Sequence, residues 1–177
     1  MPTPDLLSSP ARVRALPGGA GLDDDRVYTL LVKASAAFRG QTRQHISAVA
    51  GDVVTLDARP SWALQLPQVP VTAVHAVVVD GLALVEGDDF EWSAAGVLKR
   101  HGRWPDRYRS VVVTYDHGYP VVPDDVADVV AEAAVIGSFR TPGVLNVQLG
   151  ATSYGFDRSG RTQDWVDTVA RYRVRRR

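Results

Sequence analysis

The spacing of apolar residues changes along the chain, and this change separates helical segments from β segments. The first clear pattern is helical and consists of Val27, Leu30, Leu31, Ala34 and Phe38. It predicts a helix that begins at Asp23 or Asp24 and ends near Arg39. Aspartates in its first turn suit the positive end of the helix dipole, and Gly40 is expected to stop the helix.

From Gln44 onward apolar and polar residues alternate, which is the period of a β-strand. The segments with this pattern are His45–Val49, Val53–Leu56, Trp62–Leu66, Val71–Val79, Leu82–Val85, Phe90–Trp92, Val97–Arg100 and Tyr108–Tyr115. Ala50-Gly51-Asp52 is expected to be a turn between the first two segments, and Asp80-Gly81 to close a tight hairpin. Such short strands favour an antiparallel sheet, a sandwich or a small barrel.

Two further helices are predicted after the strands. The second begins at Pro123-Asp124-Asp125, and its apolar face consists of Val126, Val129, Val130, Ala133 and Ile136. Its alanine-rich surface is expected to let another helix approach closely. The third runs from Gln163 to about Arg171, with Thr162 as its cap. Residues 141–161 lie between these helices, show no clear period and are predicted to be a loop that either binds a ligand or is ordered by a partner.

These elements predict an α+β fold in which a small helical bundle carries a large antiparallel β insertion between its first and second helices. Residues 1–22 are rich in Pro and Gly and are expected to be an N-terminal arm. The helical core is assigned to residues 23–40 and 120–171, and the β insertion to residues 41–119. Residues 172–177 form a basic tail.

Composition excludes several classes of function. Lys and Arg number 20 and Asp and Glu number 20, so no overall field draws the protein to nucleic acid. The absence of cysteine excludes disulfides, thiolate metal sites and cysteine nucleophiles. No apolar run approaches the roughly 20 residues of a membrane span. The N-terminus lacks the pattern of a secretory signal, so the chain is expected to stay in the compartment where it is made.

Candidate catalytic and metal-binding groups are few. The histidines are His45, His75, His101 and His117, and none has the spacing of a metal-binding pair. His117 follows Asp116 and precedes Gly118, which is open to two interpretations: an Asp–His catalytic couple, or a turn between a strand and a helix. Trp62 and Trp92 lie in strand patterns, which favours core packing over base stacking. We therefore predict no catalytic, metal or cofactor site.

Arginine crowds the end of the chain: Arg171, Arg173, Arg175, Arg176 and Arg177 fall within the last seven residues. Three interpretations stay open for this segment. It is a solvated end, it adds as a strand to the sheet edge of another protein through the alternating residues Tyr172–Arg175, or it contacts DNA phosphates.

Several phrases of the sequence resemble one family, the head-to-tail adaptor proteins of long-tailed bacteriophages, also called head completion or connector proteins. The phrases are Leu30–Ser35 with Phe38-Arg39, Leu66-Pro67 to Val71, Val77–Gly81, and Val113–Tyr119 with Val122–Val126. They fall within residues 28–140. Downstream, Val147–Tyr154 keeps the Gly and the Ser-Tyr end of a phrase common in the family but lacks its Glu.

The resemblance implies a structural virion protein, not an enzyme, with no cofactor. Members form a ring, commonly of twelve subunits, docked beneath the portal protein and above the next neck or stopper protein. DNA passes through the ring without sequence-specific binding and no membrane is involved. The expected location is the virion neck, after assembly in the host cytoplasm.

The expected portal-contact tail is Tyr172, Arg173, Val174, Arg175, Arg176 and Arg177. The candidate contacts between subunits are the alanine-rich second helix and a loop containing Leu149, Gly150, Ser153 and Tyr154. Two alternatives from other classes remain: a small DNA-binding module that uses the C-terminal arginines, and a small hydrolase that uses His117.

Overall fold

The computed structural model describes residues 5–139, 146–149, 152–155 and 161–174. The chain folds into two compact units, and the predicted α+β class is confirmed. One unit is helical and combines the described parts of residues 1–43 and 122–173; the other is built from the strands of residues 44–121. None of the described helices has the length and apolar content that a membrane crossing requires.

The helical unit contains the three predicted helices and one more. The four are α1 (Pro10–Ala15), α2 (Asp24–Thr42), α3 (Asp124–Phe139) and α4 (Gln163–Tyr172). The sequence pattern does not predict α1, which lies inside the segment interpreted as an arm. Ser9 caps α1 and Pro10 begins it, but its six residues are too few to show a helical period. Leu7 and Val13 are buried, so this part of residues 1–22 is packed.

The end of α2 differs from the prediction. Gly40 lies inside the helix, which continues to Thr42 and ends where Arg43 adopts a left-handed conformation with φ 58°. Thr42 is buried, and its hydroxyl donates a hydrogen bond to the Phe38 carbonyl at 2.9 Å. The helix passes through the glycine because this last turn is packed and hydrogen-bonded, which offsets a glycine cost of about 1 kcal/mol.

Helix α3 is the central element of its unit. It contacts α1, α2 and α4. Its buried residues occupy most of its circumference: Val126, Ala127, Val129, Val130, Ala131, Ala134, Val135 and Ile136. The alanine-rich surface does allow close approach, but helices of the same chain occupy it. The interpretation of this surface as a face between subunits is therefore wrong.

Residues 44–121 form seven strands in two antiparallel sheets. The strands are β1 (Val49–Ala58), β2 (Ala63–Gln65), β3 (Val71–Val79), β4 (Leu82–Leu84), β5 (Phe90–Trp92), β6 (Val97–Arg100) and β7 (Arg107–His117). One sheet has the order β1-β7-β3-β4 and the other β2-β6-β5. Both sheets contribute to one hydrophobic cluster, which includes Val77 and Val113 from the first and Phe90 and Leu98 from the second. The two sheets therefore share a core.

Strand β1 corrects the prediction of a hairpin at Ala50-Gly51-Asp52. The chain does not turn back there, and β1 continues along β7 through a bulge between Val49 and Asp52. Gly51 takes a positive φ of 65°, and its N–H donates to the Asp116 carboxylate at 2.6 Å. A left-handed glycine serves a bulge as well as a turn, and the distant Asp116 decides between them.

Candidate assembly surfaces

The C-terminal segment for which a strand was one of three interpretations begins inside a helix. Tyr172 is the last residue of α4, and its hydroxyl donates to an Asp125 carboxylate oxygen at 2.8 Å. Its ring centroid lies 6.5 Å from that of Phe38. Arg173 follows as the helix cap in an extended conformation. The predicted strand at Tyr172 is therefore wrong, while Arg175, Arg176 and Arg177 lie outside the described residues.

Two side chains tie the end of α4 to the start of α3. Arg171 donates to one Asp125 carboxylate oxygen at 2.6 Å, and Tyr172 donates to the other at 2.8 Å. Both oxygens of Asp125 are thereby engaged, and charge-assisted bonds of this kind are stronger than neutral ones. The end of α4 is therefore fixed to the start of α3.

Trp165 holds α4 against α2. Its side chain is buried, and its ring meets the edge of the Phe38 ring at a centroid distance of 5.3 Å. The indole N–H donates to the Gln41 side-chain oxygen at 2.7 Å, and the Arg161 guanidinium lies 4.3 Å from the ring centroid. An aromatic core contact, a satisfied donor and a cation over the ring together anchor the helix.

The predicted loop at residues 141–161 contains a hairpin. Strands β8 (Asn146–Leu149) and β9 (Thr152–Gly155) pair in antiparallel fashion, with Val147 opposite Tyr154 and Gln148 opposite Ser153. Of the four loop residues that we proposed as contacts, Leu149 ends β8, Ser153 and Tyr154 lie in β9, and Gly150 lies outside the described residues. The pair Gly150-Ala151 between short alternating runs was the sequence signal for this hairpin.

His117 is a core residue of the β unit. It is 2% exposed, and its Nε2 lies 3.2 Å from an Asp52 carboxylate oxygen. Its ring packs 5.1 Å from Tyr115 and 6.1 Å from His45. Burial lowers the pKa of His117, and this effect outweighs that of the nearby Asp52 carboxylate, which alone would raise the pKa. A ring enclosed in this way has no room for a substrate.

The sequence neighbours Asp116 and His117 do not form a couple. Asp116 accepts the Gly51 N–H and lies 2.8 Å from Nε2 of His75, and these contacts lower its pKa. The carboxylate next to His117 comes instead from Asp52 on β1. Among the residues that the structure describes, no three His, Cys, Asp or Glu side chains are placed to hold a metal ion. The geometry does not support the hydrolase alternative.

Stability is expected to fall as the pH decreases from about 7.5 to 5.5, in part because of His117. Its folded pKa lies below the unfolded value, so the unfolded chain binds more protons once the pH drops below about 6.5. Urea unfolding across this range should show a shallower pH dependence for His117→Gln than for the unaltered protein. Equal slopes would contradict this assignment.

Trp62 is not in the core, contrary to the sequence interpretation. It lies just before β2 and is 55% exposed, and the Arg103 guanidinium is 5.8 Å from its ring centroid. Trp92 is partly buried and donates its indole N–H to Glu86 at 2.7 Å. Strand periodicity could not separate these two cases, because Trp62 lies in a bend at residues 60–62 and not in the strand that follows.

Comparison with known proteins finds no matching family model and no matching curated protein. Solved structures do match. A chain in the neck of an empty gene transfer agent particle, computed with C6 symmetry, is 22% identical with a TM-score of 0.62; the match covers 95% of this chain and 90% of that one. A chain in the virion of the native gene transfer agent particle is 20% identical with a TM-score of 0.61, at the same coverage.

A third match comes from the neck of the native particle, computed with C12 symmetry. Its chain is 18% identical with a TM-score of 0.59, and the match covers 98% of this chain and 96% of that chain. The likeness therefore includes both the helical and the β unit. This chain has the fold of chains found in the neck of gene transfer agent particles.

Proposed function

We propose that this chain is a structural subunit of the neck of a phage-like particle: an adaptor that forms a ring below the portal protein and above the next neck component. The observation that carries the proposal is the likeness in fold over 95–98% of the chain to chains from such particles. The cyclic symmetry of the two neck structures supports a ring, and the sequence resemblance to head-to-tail adaptors supports this position in it. DNA passes through the ring.

The interior of the chain supports a structural role. The two groups that the sequence offered for chemistry, Asp116 and His117, are engaged in holding β1, β3 and β7 together. In the helical unit, Arg12 donates to Asp124 at 2.7 Å and to Asp128 at 2.6 Å and so connects α1 to α3. Polar side chains thus serve to hold elements in place.

The direct test is reconstitution with the portal protein of the same particle. Electron micrographs of the mixture should show a ring of this protein on one end of the portal, and a mass measurement should give the number of subunits. If the protein stays monomeric beside the intact portal at all concentrations tested, the proposed function fails. Steeply salt-dependent DNA affinity of the isolated monomer would instead favour the DNA-binding alternative.

We further propose that the chain beyond Arg173 anchors the ring to the portal. The clamp of Arg171 and Tyr172 on Asp125 supplies a rigid base. From there Val174 and the arginines that follow would add as a strand to a portal sheet edge, with guanidinium groups pairing to carboxylates. A pre-organised base reduces the entropy lost when the segment binds.

Truncation after Arg173, which removes residues 174–177, is expected to abolish portal docking and to leave the fold unchanged. Docking is measured by co-sedimentation with the portal, and the fold by circular dichroism and thermal unfolding. The control is a longer truncation from Tyr172, which should also lower thermal stability because it removes the contacts with Asp125 and Phe38. Docking of the shorter variant at the level of the intact protein would refute the anchor.

A further inference from the structure

The β unit has two opposite sides, each formed by two strands that follow one another in sequence. The four-stranded sheet has β1 and β4 as its edges, and the three-stranded sheet has β2 and β5. Residues 59–62 connect β1 to β2, and residues 85–89 connect β4 to β5. Because each connection joins edges on its own side, the two connections lie on opposite sides of the unit.

The first side is rich in arginine and exposed aromatic rings. In the connection from β1 to β2, Trp62 is 55% exposed and has the Arg103 guanidinium 5.8 Å from its ring centroid. The backbone N–H of Trp104 donates to the Ser61 carbonyl at 2.9 Å, which joins this connection to the segment that carries Arg103. Trp62 is therefore held in place although most of it faces solvent.

A bulge adds to the same side. Leu56 pairs with Val111 and Ala58 with Arg107, so the single residue Asp57 on β1 lies opposite three residues of β7. Within this bulge Arg109 takes a positive φ of 53°, and its N–H donates to the Asp57 carboxylate at 2.8 Å. Bulges redirect side chains, and here Tyr108 is left 88% exposed.

We name these residues the basic-aromatic side: Arg59, Trp62, Arg103, Tyr108 and Arg109. Arg107, the first residue of β7, is not included, because it pairs at 3.2 Å with Asp80 in the turn between β3 and β4. Within residues 5–139 and the other described segments, Arg59, Arg103 and Arg109 have no carboxylate within ion-pair distance. Exposed Asp57 and Asp106 lie among them and reduce the local positive charge of the three arginines without cancelling it.

The opposite side is acidic and apolar. Leu82 on β4 is 73% exposed and Val85, which follows β4, is 57% exposed. Glu86, Asp88 and Glu91 are exposed beside them. Lys99 and His101 lie 3.9 Å and 3.8 Å from Glu91, which are long and exposed contacts of little strength. We name Leu82, Val85, Glu86, Asp88 and Glu91 the acidic-apolar side.

We propose that in the ring the basic-aromatic side of one copy packs against the acidic-apolar side of the next copy. This inference rests on the proposed function. A closed ring of identical subunits needs two different faces that fit each other. The two sides lie opposite each other in the β unit and carry opposite charge. Each also exposes large apolar groups, the kind that interfaces bury, and Trp, Tyr and Arg are enriched where binding energy concentrates.

Charge reversal tests the contact. Arg59→Glu with Arg103→Glu reverses one side, and Asp88→Arg with Glu91→Arg reverses the other. Each double variant places like charges opposite each other and is expected to form at least about tenfold fewer rings on the portal in electron micrographs. The variant with all four changes restores opposite charges at every contact of a homomeric ring. It is therefore expected to recover most of the rings.

The results of these charge reversals show whether another copy of this chain, or instead another neck protein or DNA, contacts the two sides. If either double variant forms rings as well as the unaltered protein, the contact is refuted. It is also refuted if both lose rings and the fourfold variant does not recover them, since the surfaces would then face another neck protein or DNA. Lys33→Glu, an exposed reversal on α2 outside both sides, is the matched control and should assemble normally.

A measurement without the portal distinguishes this inference from the proposed function. Sedimentation of the isolated full chain at increasing concentration should show self-association that each double reversal lowers and the fourfold reversal restores. Self-association of this kind without portal binding would count against the proposed function alone. If the unaltered protein does not self-associate, or does so regardless of the reversals, the contact is refuted.

Discussion

Replacing Gly118 by alanine is expected to destabilise the β unit more than any other single methyl addition to it. Gly118 takes a positive φ of 89°, and an added Cβ would lie 2.3 Å from the Ser47 carbonyl oxygen and 2.9 Å from that of Ile46. Neither obstacle is a flexible side chain. The left-handed conformation and the overlap together should cost about 4 kcal/mol in the free energy of unfolding.

Two other glycines distinguish the cost of the left-handed conformation from the cost of the steric overlap. Gly81 has a similar φ of 86° but open space around its Cβ position, so Gly81→Ala should cost only about 1 kcal/mol. Gly102 has open space and needs no positive φ, so Gly102→Ala should change little. Urea unfolding of the three variants provides the measurement. If Gly118→Ala proved no worse than Gly81→Ala, the close approach of residues 46–47 to Gly118 would be wrong.

Replacing Trp165 by alanine is expected to release α4 from the helical unit. The change removes the contact with Phe38, the bond to Gln41 and the surface on which Arg161 rests. Loss of a buried tryptophan costs about 3 to 5 kcal/mol. Hydrogen exchange should show faster exchange at the amides of α4, and the midpoint of urea unfolding should fall. Portal docking should weaken as well, because the proposed anchor begins at the end of α4.

Trp62→Ala is the control for that experiment. Trp62 is as large as Trp165 but is 55% exposed, so its loss should cost less than about 1 kcal/mol. It should instead impair assembly, because it lies on the basic-aromatic side. Equal destabilisation by the two changes would show that the burial of Trp165 is not what holds α4.

Local pattern was sufficient for most helices and strands. Apolar residues spaced three or four apart predict the buried face of α2 and the start of α3, and Asp80-Gly81 predicts the turn between β3 and β4. Cap residues close to the first turn, such as Asp23 and Thr162, locate helix starts for the same reason. In each case the groups that decide the structure are near one another in sequence.

The predictions that failed depend on contacts between residues far apart in the sequence. Gly51 forms a bulge rather than a turn because Asp116, 65 residues away, accepts its N–H. The Asp116–His117 couple fails because His117 meets Asp52 and Asp116 meets His75, contacts made by sheet pairing rather than by sequence neighbours. The alanine-rich surface of α3 does pack closely against helices, as the sequence predicts, but these helices belong to the same chain.

The sequence by itself determined the α+β class, the insertion of strands between helices and the family resemblance that supports the proposed function. Periodicity and turn residues act over a few positions, so the elements that they specify can be predicted without the tertiary structure. The tertiary structure alone decided which edges of the two sheets lie on opposite sides, that Trp62 and Tyr108 face solvent, and that Tyr172 belongs to a helix clamped on Asp125. These depend on strand order and on contacts between residues far apart in the chain, which no local pattern encodes.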